Sequence, residues 1–232
     1  MSLQNKTGDF LVWQFDFALT TFFEIETHLI QSLLPPQLHP LEAVAGVSLI
    51  NLTAFNFPAG ALGSLPEFQE LIFSAIVTPD LSRGVPNFAM YVLSIGSSCQ
   101  EHLDHSFDYY KLPVYECLLY GIIRKDKLAV EYCDSLGKIL TMHNCANQVN
   151  YKKDEKRYFQ AFTSKNNQIY IADVYIQASL YEHQETGNVG ILYNHPFFKN
   201  LGFDEADPVS YLQMIGEPSV IGQQLYYRPE IF

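Results

Sequence analysis

Apolar and polar positions alternate over Phe10 to Thr21, which predicts a strand. Over Phe22 to Leu34 the period changes. Ile25, Leu29, Ile30, Leu33 and Leu34 recur at helical spacing, Glu24 and Glu26 sit near the positive end, and Pro35-Pro36 stops the run, so a helix is expected there. The β-branched, apolar run from Ala43 to Phe57 predicts a buried strand. Two further strands are expected over Phe68 to Pro79 and Phe88 to Gly96, separated by proline-bounded turns. From Ser97 to Leu112 the spacing is again helical, with Cys99, Leu103, Phe107 and Tyr110 as the apolar stripe. Ser97 or Ser98 offers a cap, Glu101 completes a capping box, and Pro113 ends the segment.

Beyond Pro113 the pattern is almost entirely strand. Val114 to Arg124 and Lys127 to Asp134 flank Lys125-Asp126, a two-residue hairpin candidate. An antiparallel series follows, over Lys138 to Asn144, Asn147 to Lys152, Arg157 to Ser164 and Gln168 to Gln184, with Asn166-Asn167 as a turn. Asn194 to Met214 reads as a loop with one short helix, and Ser219 to Phe232 as a final strand. The fold class is therefore mainly β with two main helices (α+β). So many strands hide their edges by closure or by packing two sheets, and a closed antiparallel cone or barrel leaves an internal cavity.

Composition narrows the picture. At 232 residues, with no linker-like stretch, the chain reads as one domain over residues 1–232. The 15 tyrosines and 17 phenylalanines suit half-buried strands and cavity walls. A net charge of −11 opposes nucleic acid and anionic membranes. The local basic run Lys152, Lys153, Lys156 and Arg157 is interrupted by Asp154 and Glu155 and reads as a solvated edge. No stretch has the apolar length of a membrane helix. The four cysteines, Cys99, Cys117, Cys133 and Cys145, match no zinc module and read as reduced core residues. With a polar N-terminal segment, this points to a cytoplasmic protein.

The order of motifs resembles the acetoacetate decarboxylase family. Leu33-Leu34-Pro35-Pro36-Gln37-Leu38 is similar to its helix-ending element, Glu67-Phe68-Gln69-Glu70 to its Tyr-x-Glu strand, and Met90-Tyr91 to its MYLDN strand. Tyr110-Lys111-Leu112-Pro113 falls on the turn that precedes the family's two lysines, and LYGIIRKDKLAVEY is similar to its basic hairpin. The resemblance covers most of residues 10 to 145. It implies a closed β-cone around an apolar cavity, carboxy-lyase chemistry on keto acids, and no cofactor.

That chemistry uses a lysine imine as electron sink, and the amine must be neutral near pH 7. Here Val114 and Tyr115 stand at the lysine positions, Asp16 near the family's arginine, and Ser48 near one of its glutamates. Glu70 alone matches a family functional residue. The candidate catalytic residues are thus Glu70, orienting a substrate or moving a proton; Tyr115, hydrogen-bonding a carbonyl or acting as an acid; and Lys111, two residues before Pro113. The competing readings are an outward strand residue for Glu70, a wall aromatic for Tyr115, and a helix-end lysine for Lys111. Tyr110, Val114 and Met90 are the candidate substrate-binding wall.

His102 and His105, three apart with Asp104 and Asp108 nearby, have two of the ligands a metal needs but no third, and otherwise form a polar helix face. His195-Pro196-Phe197-Phe198 reads as a packing loop or a lid. No GxSxG, P-loop or GxGxxG motif occurs. The sequence supports an enzyme-like protein, without the family's Schiff-base lysine, that takes a small carbonyl or keto-acid compound. The alternatives are a non-catalytic binder of small apolar ligands and an interaction protein forming a homo-oligomer.

Overall fold

The computed structural model describes residues 10–127, 129–143, 150–186, 190–199, 201, 210–216 and 222–232. Strands β1 (Phe10–Phe15) and β2 (Phe17–Glu26) lead into a short helix α1 (Thr27–Gln31). Then come β3 (Glu42–Val44), β4 (Val47–Phe57), β5 (Phe68–Val77), β6 (Phe88–Ser97) and the helix α2 (Gln100–Asp108). The remainder comprises β7 (Tyr120–Arg124), β8 (Ala129–Asp134), β9 (Gly137–His143), β10 (Asn150–Lys165), β11 (Gln168–Thr186), β12 (Gly190–Leu192), β13 (Ser210–Gly216), β14 (Gly222–Tyr227) and β15 (Glu230–Ile231). Among the described residues no helix is long and apolar enough to cross a membrane.

The main sheet has 11 strands. Nine of them run in the order β1-β14-β11-β10-β6-β5-β4-β2-β13, β3 pairs with β4 and β15 with β11, and β13 pairs again with β11, over Leu180↔Gly216 to Thr186↔Ser210. A smaller sheet runs β12-β9-β8-β7. Pairing is antiparallel throughout except between β10 and β6. Strand alternation divides the apolar side chains between two clusters. On β4, Leu52 and Ala54 face one side, while Phe55 and Phe57 face the other; on β5, Leu71 and Phe73 oppose Phe68 and Ile72. The first side packs on the small sheet through Tyr132, Ile139 and Leu140, and on the buried Phe197 and Phe198. The second side faces inward and carries α2.

Several expectations shift. The helix expected over residues 22–34 shrinks to Thr27–Gln31, because β2 stays in register with β4 as far as Glu26↔Val47. Backbone pairing along that whole edge outweighs a side-chain spacing that suits either structure. The run expected as one strand over 43–57 breaks at Gly46, whose φ of 81° turns the chain between β3 and β4. Residues 114–119 carry only a bridge, Ile95↔Val114, before β7 begins. Lys125–Lys127 form a 3₁₀ turn in place of a two-residue hairpin. Two strands expected over 147–164 are one, β10, irregular between Lys152 and Glu155. Within the basic run on β10, Lys152 and Arg157 both reach Glu182, and Arg157 also reaches Glu155. Cys145 lies outside the described residues.

Candidate functional site

An interior cavity of about 70 Å³ lies on the inward face, where β2, β4, β5, β6, β10, β11 and β14 converge. A water needs roughly 10–15 Å³ of such space, so it takes about five water-sized groups. Phe55, Ile72, Phe88, Met90, Val92 and Phe159 make most of its wall. The polar residues on it are Thr20, Thr53, Gln224 and Tyr226. The Thr20 and Thr53 hydroxyls lie 3.0 Å apart, and Thr53 donates to the Asn51 carbonyl oxygen at 3.2 Å. Tyr226 is 7% exposed, and its buried hydroxyl has no hydrogen-bond partner among the described residues. Alternation along β14 aims both Gln224 and Tyr226 inward.

A buried acid–base pair stands close by. Glu70, 5% exposed on β5, receives His102 Nε2 from α2 at 2.9 Å. Phe68 stacks on the imidazole with ring centroids 4.4 Å apart, Trp13 meets it edge-on, and Ser106 Oγ lies 3.4 Å from Nε2. The other nitrogen, Nδ1, is buried without a partner. Trp13 donates its indole N–H to the Tyr110 hydroxyl at 2.7 Å, and the Tyr110 and Tyr226 rings lie 4.1 Å apart. Burial, with the Glu70 charge added, holds both phenols far above the ordinary tyrosine range. Both therefore stay protonated and act as hydrogen-bond donors. His105 is pushed below its ordinary value, first by burial and then by His102.

The predicted site residues divide. Glu70 is buried on the inward side, Met90 lines the cavity, and Tyr110 backs Tyr226. Val114 packs on the same inner cluster. Tyr115, next along an extended backbone, points the opposite way. Its hydroxyl donates to Asp134 Oδ2 at 2.6 Å, and its ring packs on Phe197. Lys111 has φ of 60° directly after α2, and its amine is held by the Asp108 carbonyl. A left-handed residue there bends the chain away from the helix axis and leaves the amine on the helix end, outside the residues lining the cavity.

On the opposite face Asp134 gathers Tyr115, the Leu136 backbone N–H at 2.7 Å, and His195 Nε2 at 3.2 Å. Burial raises the carboxyl pKa, but these bonds outweigh it and hold Asp134 below its ordinary range. His195 Nδ1 accepts from the Phe197 N–H at 3.2 Å, so its ring caps a 3₁₀ turn, and Phe197 and Phe198 are fully buried. The segment packs as core.

His102 was legible in sequence only as half of a polar face. It is 2% exposed, whereas Phe107, expected on the apolar stripe, is 47% exposed beneath the Lys165 amine. Among the described residues, no three His, Cys, Asp or Glu side chains group to hold a metal. Tyr226, Gln224, Trp13 and Thr20 were missed. The alternation Gly222, Gln224, Tyr226 was the signal for two of them.

This strand order, wrapped around an apolar interior with α2 against it, is the acetoacetate decarboxylase-like fold. The chain is similar to an acetoacetate decarboxylase at TM-score 0.63 and 13% identity, covering 95% of this chain and 88% of that one. Against acetoacetate decarboxylase from Legionella pneumophila the values are 0.60 and 11%, with 100% and 92% covered. Against the enduracididine biosynthesis enzyme MppR complexed with pyruvate they are 0.60 and 8%, with 97% and 91% covered. No family model and no curated protein matches the chain in sequence.

Proposed function

We propose that this protein binds a small carbonyl or keto-acid compound inside a closed β-cone and promotes lyase-type chemistry by acid–base help rather than through a lysine imine. The observation that carries this reading is the Tyr226 hydroxyl, buried on an apolar cavity wall with no partner among the described residues and kept protonated. A ligand carbonyl oxygen accepts its hydrogen bond. That bond strengthens as negative charge gathers on the oxygen when an α-substituent leaves and an enolate forms. Burial, with a smaller contribution from Glu70, keeps the phenols protonated, and Tyr226 takes the polar role that sequence assigned to Tyr115. The return of pairing from β13 to β11 supports closure, and pyruvate in MppR supports the ligand class.

A second reading, a non-catalytic binder of small apolar ligands, is favoured by the absence of any charged residue among the described residues lining the cavity. One experiment separates them. The protein is incubated with acetoacetate and related carbonyl compounds, product is followed by NMR, and borohydride trapping is read by intact mass. Thermal stabilisation, turnover and no trapped adduct are expected. Tyr226→Phe should cut ligand affinity about fivefold to tenfold, the worth of one hydrogen bond. Stabilisation without turnover would favour the binder, and a lysine adduct would overturn the imine-free reading.

A further inference from the structure

We infer that the cavity prefers uncharged carbonyl compounds to carboxylates, including the keto acids of similar size. The inference rests on the reading that the cavity binds a carbonyl compound, and it narrows the ligand class. Its basis is the lining, which among the described residues contains no Lys, Arg or His. A carboxylate inside must shed its water and finds hydroxyls and one amide in place of a cation, so its desolvation goes uncompensated.

Several basic side chains outside the lining have partners of their own. His102 is bound to Glu70 behind the wall, and Lys111 to the Asp108 carbonyl. Lys125 pairs with Asp16 at 2.6 Å, and Arg83 with Asp173 at 2.9 Å and Glu230 at 3.0 Å. The rest of the wall is apolar and complements a hydrocarbon body.

Pentane-2,4-dione and acetoacetate provide the test, because they share a shape and differ by a methyl in place of a charged oxygen. Binding of each to the full chain is measured at neutral pH by ligand-observed NMR and by thermal unfolding. The dione is expected to bind, with acetoacetate weaker by about tenfold or more. Tyr226→Phe should weaken the dione. Equal or tighter binding of acetoacetate overturns the selectivity while leaving a carbonyl-binding cavity in place. No binding of either compound overturns both. Dione binding that Tyr226→Phe leaves unchanged places the compound elsewhere and also overturns the inference.

Discussion

At the scale of residues, Glu70 and His102 depend on one another. Each is almost wholly buried, and each satisfies a charge or proton that no water reaches. Removing one leaves the other stranded, which in buried pairs costs about 3–5 kcal/mol. Glu70→Ala and His102→Ala are each expected to lose stability on that scale in urea unfolding. The double variant should lose clearly less than the sum, because the second change removes the stranded group. Additive losses would mean that the two side chains are not coupled. Glu70 was legible because a strand motif marked it. His102 was not, because a histidine on a helix reads as polar until the partner across the interface is known. Tyr115 shows the reverse: its neighbours in sequence were right, but one residue along an extended chain is a change of face.

At the scale of elements, turns were more legible than helices. Asn166 and Asn167, joining β10 to β11, both adopt the left-handed region at φ of 53° and 60°, as a tight hairpin requires. Asparagine tolerates that conformation, whereas alanine bears about 1–2 kcal/mol per residue there. Asn166→Ala with Asn167→Ala should therefore lower stability by about 2–4 kcal/mol, while Asn167→Gly should hold or raise it; both are read by urea unfolding. Strand limits set by proline or glycine were also legible, as at Phe68–Val77. The helix expected over residues 22–34 was not. Its spacing is local information, and the pairing of β2 with β4 that overrides it is not.

At the scale of the whole molecule, acid should weaken the fold from two separate places. His105 is depressed below its ordinary value near 6.5, so the unfolded chain takes up a proton first, and stability falls as pH drops from there toward the folded value. Asp134, also depressed, keeps its contribution until pH falls below the ordinary value near 3.8 and loses it as its folded value is crossed. Unfolding midpoints taken across this range should decline in both windows. His105→Gln should flatten the upper one, and Asp134→Asn the lower. A profile that His105→Gln leaves unchanged would remove that residue from the account.

The strand β11 is paired along its length by β10, β13, β14 and β15, and β14 in turn carries β1 from the start of the chain. Phe10 lies opposite Tyr227, and the Phe15 ring rests where a side chain on Gly222 would stand. The ladder partner of β1 therefore comes from residues more than two hundred positions further along the chain, although the Gln14 N–H reaches the Ala61 carbonyl earlier. Loop closures of that span make folding slow and leave an open strand edge exposed in the meantime. Chaperone demand and yield on expression, more than final stability, are where this topology will be felt.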